Sequence, residues 1–168
     1  MAIEQSLVLI KPDGMIKQLT GDIISKLAET GLKIIGSKIV QVTEELAEEH
    51  YQHLKEAKFF DELIRYIMGE YHTKSVLAIV YQGEDACRKI RKVVGVTNPE
   101  VADPTSIRGK YGRITSAGVF ENVVHASENQ QDAKREIKLW FRPDELLYTI
   151  YPTELKEAKI EKLFWKED

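Results

Sequence analysis

Cysteine is nearly absent: Cys87 is the only one in 168 residues, so no internal disulfide can form. An excess of positive charge is missing too. Twenty-four Lys and Arg stand against 27 Asp and Glu, a formal charge of -3, which leaves no chain-wide cationic face for a nucleic-acid backbone. A local anion pocket stays open. No apolar stretch approaches membrane-spanning length, and no N-terminal segment joins a basic start to an apolar run and a small-residue cleavage site. A reducing, cytoplasmic setting is the expectation. There is no internal repeat, no low-complexity tract, and no glycine-rich phosphate loop of the Walker or dinucleotide type.

What is present is an ordinary globular composition, 43% hydrophobic and 30% charged, in a length that suits one domain with its own core. Ser6 to Lys11 begins with a short apolar run that predicts a buried strand, stopped by Pro12-Asp13-Gly14. Ile23, Ile24, Leu27 and Ala28 share one helical face up to Gly31. Leu32 to Val42 reads as strand, and Thr43 then opens a helix with Glu44 and Glu45 in its first turn. Leu46, Ala47, Tyr51 and Leu54 form that helix's apolar stripe. Leu63, Ile64, Ile67 and Met68 form a second, ending at Gly69. Val76 to Tyr81 is an uninterrupted apolar strand, and Cys87, Ile90 and Val94 follow at helical spacing, which reads Cys87 as core packing rather than as a redox nucleophile.

From Thr97 to about Phe120, Pro99, Pro104, Gly109, Gly112 and Gly118 punctuate a stretch without periodicity, a long loop of the kind that usually carries function. Val119 to His125 returns to strand character. A helix with Ala133, Ile137 and Trp140 on its inner face follows, with N-cap choices in Ser127 to Gln130. A terminal helix is expected within 149–168. The order of elements predicts an α/β sandwich and leaves a ferredoxin-like antiparallel sheet and a parallel doubly wound one both open.

Four histidines are candidates for chemistry. His50 and His53, three apart beside Glu49, have a spacing that can serve a metal, but they lie in an amphipathic helix with no third ligand at a recognised spacing. His72 falls in a polar connection and reads as solvated. His125 sits where a strand ends and a helix begins, three residues after Asn122, two before Ser127 and eleven before Glu136. A carboxylate that takes the proton of one ring nitrogen orients imidazole and leaves the other nitrogen free to attack. Phosphoryl transfer also needs fixed positive charge, for which Lys11 at the end of the first strand, Arg91 on its helix and Arg108 before Gly109 are candidates.

Lys11-Pro12-Asp13-Gly14, His50-Tyr51 with Phe59-Phe60, Thr97-Asn98-Pro99, Ser106-Ile107-Arg108-Gly109 and Asn122-Val123-Val124-His125-Ala126-Ser127 resemble, in order, the motifs of nucleoside diphosphate kinases. The resemblance runs from about Ser6 to Leu147. It implies an enzyme that moves the γ-phosphate of a nucleoside triphosphate, usually ATP, to a nucleoside diphosphate through a phosphohistidine at His125, in a ping-pong cycle with low base selectivity. By the same resemblance Glu136 holds the imidazole and Ser127 is the hydroxyl beside it. Arg91 (rather than Arg88) and Arg108 grip phosphates, and Tyr51 and Thr97 add phosphate contacts. Lys11 and Asn122 lie near the sugar hydroxyls and the transferring phosphate, and Phe59 stacks on the base. Mg²⁺ arrives with the nucleotide, with no ligand expected from the protein. The implied fold is the ferredoxin-like α/β sandwich with a four-stranded antiparallel sheet, residues 1–148 forming the kinase domain and 149–168 a C-terminal extension of it. The implied assembly is a homo-oligomer, hexamer rather than tetramer, without a stable nucleic-acid or membrane partner.

The chain also departs from the family pattern. Lys58, Glu121, Ala126 and Glu128 replace residues common there, Glu121 standing where an arginine is usual, and extra residues fall between Gly69 and Lys74 and between Tyr111 and Phe120. Two rival readings are a nucleic-acid-binding or regulatory module on the same fold and a scaffold that has lost activity. The first calls for aromatics on sheet strands, whereas those singled out here lie on helices. The second is opposed by the joint presence of Lys11, Arg91, Arg108, Asn122, His125 and Glu136.

Overall fold

The computed structural model describes residues 2–116, 118–157 and 165. At its centre is β1 (Ile3–Ile10), whose last six residues are buried on both sides. Its alternation explains why: Leu7 and Leu9 enter one hydrophobic cluster while Val8 and Ile10 enter another, on opposite faces of the sheet. β1 pairs antiparallel with β3 (Val76–Glu84), and β3 pairs antiparallel with β2 (Lys33–Val40), whose register shifts between Ile34 and Gly36. On its other side β1 pairs antiparallel with the short β6 (Val124–Ala126), setting Leu9 opposite His125. The order β2-β3-β1-β6, all antiparallel, is the ferredoxin-like arrangement, which resolves the ambiguity left by the element pattern.

Helices cover both faces. α2 (Thr20–Ala28) and α5 (Ala86–Val94) bury Ile23, Leu27, Ile90 and Val94 against Val8, Ile10 and Ile79. On the opposite face α3 (Glu44–His50), α4 (Phe60–Ile67) and α7 (Gln130–Trp140) bury Ala47, Phe60, Ile64, Ala133, Ile137 and Trp140 around Leu7 and Leu9. Thr43 caps α3 by accepting from the Leu46 N–H, and Asn129, among the cap choices the sequence offered, caps α7 through Asp132 N–H. Cys87 is buried and its thiol donates to the Gln5 carbonyl, as core packing requires. No helix among the described residues is long and apolar enough to cross a membrane.

Two segments differ from the sequence reading. Pro12-Asp13-Gly14 is not only a stop but a one-turn helix, α1 (Pro12–Ile16), with Pro12 at its start. The stretch from Thr97 to Phe120 is not all loop. It holds α6 (Ile107–Tyr111), capped by Ser106, and a small hairpin of β4 (Arg113–Ile114) with β5 (Phe120–Glu121). Five-residue helices and two-residue strands are too short to leave a hydrophobic period. The expected strand from Val119 to His125 is likewise two pieces, β5 and β6, broken at Asn122 and Val123. Of the expected terminal helix, residues 149–157 are not helical, and 158–164 and 166–168 lie outside the described residues. Ile150 and Tyr151 still pack on the cluster that contains Leu7.

The break has a cause. Val123 adopts φ 57°, a left-handed conformation that a β-branched residue occupies only at a cost of about 1–3 kcal/mol. Asp13, fully buried, compensates: one carboxylate oxygen accepts from the Val123 N–H at 3.1 Å and the other from the Tyr66 hydroxyl at 2.6 Å. Lys11 N–H donates to the Val123 carbonyl at 2.8 Å. Gly14 lies so close beneath that a Cβ there would stand 3.0 Å from the same carbonyl. Asp13→Asn puts an amide donor against one of those two donors and leaves it unsatisfied, so urea unfolding is expected to show a loss of about 1–3 kcal/mol. A loss within error of zero would contradict the role given to Asp13.

Candidate active site

His125 is held at the middle of β6 by its pairing with β1, with its side chain 16% exposed. α7 brings Glu136 back over the strand, because Ala133, Glu136, Ile137 and Trp140 share its buried face. Glu136 Oε1 lies 3.0 Å from His125 Nε2, and Glu136 Oε2 accepts from the Ser127 hydroxyl at 2.6 Å. Ser127 in turn accepts from the Leu7 N–H. Burial pushes the Glu136 carboxyl up, but the opposing charge and hydrogen bond of His125 and the Ser127 bond outweigh it and hold it below the usual range. Burial lowers the His125 pKa. Glu136 opposes that, while Lys11 and Arg108 add to it. A neutral imidazole facing a carboxylate must carry its proton on Nε2, so the lone pair resides on Nδ1.

His50 backs this ring. Its Nδ1 accepts from Trp140 Nε1 at 3.1 Å, and its ring meets that of His125 edge-on with centroids 4.5 Å apart. Burial, then the charges of His125, Arg135 and Lys11, hold its pKa well below the ordinary histidine value. The reading of α3 as an amphipathic helix missed His50, although its position three residues after Ala47 puts it on the apolar face. His53 is exposed and does not converge with it. Instead the ligand atoms of His50, His125 and Glu136 lie within 4.8 Å of one another; His50 Nδ1 and both Glu136 oxygens are engaged by protein groups, while His50 Nε2 is buried without a partner among the described residues. Tyr51 is buried beside His125, and its hydroxyl has no hydrogen-bond partner among the described residues.

Cations act on this ring as well: Lys11 and Arg108 both lower its pKa. Lys11 Nζ, 5% exposed as a residue, donates to Asn122 Oδ1 at 2.8 Å, and Asn122 Nδ2 donates to the Thr97 carbonyl at 2.8 Å. Burial and the nearby Arg108 lower the Lys11 pKa to about 7 against the opposing pull of Asp13. Arg108 is buried as well. Its Nε and Nη2 donate to the Val124 carbonyl and its Nη1 to that of Gly95, and burial with the charge of Arg91 brings its pKa down to about 10. Arg91 is exposed and close enough to act on Arg108, whereas Arg88 is paired with Asp85. Among the described residues no carboxylate forms an ion pair with Lys11, Arg91 or Arg108. Thr97 is exposed at the edge of this group, and Phe59, 57% exposed, projects where α4 begins. Cations without an ion-pair partner among the described residues, of which the two buried ones act on the His125 ring, make a site for an anion with an electrophilic centre.

The chain is similar to known proteins over most of its length. The family description "Nucleoside diphosphate kinase" matches residues 4–146. The chain is 43% identical over 145 residues to a nucleoside diphosphate kinase of Pyrococcus furiosus, covering 86% of each chain. Among solved structures, the nucleoside diphosphate kinase of Halobacterium salinarum in complex with CDP is similar with a TM-score of 0.78 at 39% identity, over 86% of this chain and 91% of that one. A transition-state mimic of the Borrelia burgdorferi enzyme with vanadate and ADP gives a TM-score of 0.78 at 31% identity, over 90% and 94%. By its sequence over most of its length and by its fold, this chain belongs to the nucleoside diphosphate kinase family of enzymes.

Proposed function

We propose that the protein carries the γ-phosphate of a nucleoside triphosphate, usually ATP, to a nucleoside diphosphate by way of a phosphohistidine at His125. The observation that carries this reading is the His125–Glu136 pair, which engages Nε2 and leaves the lone pair to Nδ1, in a ring that Lys11 and Arg108 act on. Nδ1 attacks the γ-phosphorus, an N–P bond forms, and the P–O bond to the β-phosphate breaks with its electrons leaving on the diphosphate. The ring gains positive charge as this happens, and Glu136, fixed by Ser127, stabilises it. A second diphosphate then takes the first one's place and its terminal oxygen attacks the phosphohistidine in reverse. The cycle is ping-pong.

In this reading Lys11, Arg91 and Arg108 hold phosphate oxygens, and the unpartnered Tyr51 hydroxyl and Thr97 add neutral donors. Asn122, with Lys11, reaches the sugar end, and Phe59 supplies an exposed ring for stacking, which every base accepts. Mg²⁺ would ride on phosphate oxygens and water, as a hard cation reluctant to dehydrate prefers, and would neutralise phosphate charge when bound. The nearest carboxylates, Asp13 and Glu136, are both committed to protein donors, which fits that arrangement. The assembly is a homo-oligomer, hexamer before tetramer; β2, an edge strand with Ile34 and Ile39 exposed, supports association without bearing on the number of subunits. The proposed setting is the cytoplasm, with no stable nucleic-acid or membrane partner, and residues 149–168 as an extension of the one domain.

Incubation with radiolabelled ATP and Mg²⁺ is expected to leave acid-labile, base-stable label on the chain, and none on His125→Ala. Label that persists in the variant would remove this mechanism.

The Lys11 pKa sets a second expectation. Phosphate favours the charged lysine, which is already present below about pH 7. Above that, binding must bring a proton, so the Kd for ADP is expected to rise with pH, by at most about tenfold per unit. Calorimetry between neutral and alkaline pH checks this, with Lys11→Arg as a control that flattens the profile. A pH-independent Kd with proton-free binding in the wild type would contradict it.

A further inference from the structure

Glu121, one of the chain's departures from the family pattern, ends β5 directly before Asn122 and is 4% exposed. Two cations and a histidine ring, from three separate segments, close on its carboxylate. His72 Nε2 donates to Oε1 at 2.7 Å, Arg113 Nε donates to Oε2, and Lys17 Nζ lies 3.6 Å from Oε2. Burial pushes the carboxyl up, yet the bonds from Arg113 and His72 outweigh it and keep it below the usual range. His72 is therefore not the solvated residue that its polar surroundings imply. It sits in the extra residues after α4, in a turn closed so tightly at Gly69 (φ 79°) that a Cβ there would stand 2.0 Å from the Thr73 carbonyl.

Both departures, the carboxylate and the extra residues, thus meet in one contact. From it two physical routes lead to the sugar end of the site. Through the backbone, Glu121 fixes the entry to the Asn122–Val123 turn, whose left-handed residue holds its shape only under constraint from both sides. Asp13 supplies the constraint after the turn. Through side chains, the His72 ring packs edge-on to Tyr66 with centroids 6.4 Å apart, Tyr66 donates to Asp13, and Lys11 Nζ stands 5.2 Å from the Tyr66 ring centre. Neither His72 nor Glu121 bonds to His125 or Glu136.

We infer that His72 and Glu121 form a latch that holds Asn122, and with it Lys11, in the position that receives the nucleotide, making both of them positioning residues for binding rather than for the chemical step. This rests on the nucleotide-transfer reading above. Disengaging the latch lets the turn sample other conformations, and the binding-competent fraction falls, which weakens apparent affinity in proportion. At saturation the reacting groups are unchanged.

The test is steady-state turnover with a nucleoside diphosphate acceptor for wild type, His72→Ala, Glu121→Gln and the double variant. Each single substitution is expected to raise KM about 3- to 10-fold with kcat within about 2-fold, and the double to raise KM no more than the larger single, as two halves of one contact should. His72→Gln, which restores a neutral donor towards Oε1, should recover most of the loss. Unchanged KM in both singles, effects that multiply in the double, or a kcat that falls in step with KM would overturn the latch. If Glu121→Gln compromises folding, His72→Ala, in a turn outside both hydrophobic clusters, decides by its KM alone. An inactive wild type would instead overturn the underlying transfer reading, so the two failures are distinguishable.

Discussion

Buried positive charge without an ion-pair partner among the described residues, beside an imidazole whose pKa is lowered, is the constraint around which the rest of the structure is arranged. Lys11 and Arg108 lie inside the protein with only amide and carbonyl oxygens as hydrogen-bond partners. Holding them there is unfavourable, and the strain is visible in the lowered affinity of both for their protons. Such an arrangement is tolerated where an incoming anion relieves it. Burial first, and the same cations after it, lower the His125 pKa, so the environment that attracts a phosphate also prepares the atom that would attack it.

The fold meets this constraint with long-range ties between short segments. Lys11 and Asn122 are 111 residues apart in sequence and 2.8 Å apart in space. What unites them is the central position of β1, which delivers Lys11 at its end and pairs with β6 to set His125 alongside. Asp13 then locks α1, α4 and the Asn122–Val123 turn to one another through a single buried carboxylate. Helices on both faces bury the central strands of the sheet.

Much of this was legible in the sequence where a period or a stop is long enough to read. β1, β3 and the apolar faces of α2, α4, α5 and α7 announce themselves, as do the Thr43 cap and the eleven-residue separation of His125 and Glu136. The helix α6 and the β4–β5 hairpin are too short for a period. The break at Val123 leaves no mark, because valine in isolation argues for strand. His50 was legible by its spacing from Ala47, but its charge-bearing neighbours masked it. His72 was not, since nothing local indicates a buried carboxylate 49 residues away. The places assigned to Tyr51, Phe59 and Thr97 came from the family resemblance alone, for contacts across such separations are invisible to local pattern.

The chemistry at His125 turns on one proton. Nitrogen-15 NMR of the imidazole rings at neutral pH reads it directly, since protonated and lone-pair ring nitrogens resonate far apart. His125 is expected to be neutral with its hydrogen on Nε2, and after reaction with ATP to carry phosphorus on Nδ1. A His125 that is protonated on both nitrogens at that pH, or that takes phosphate on Nε2, would contradict it.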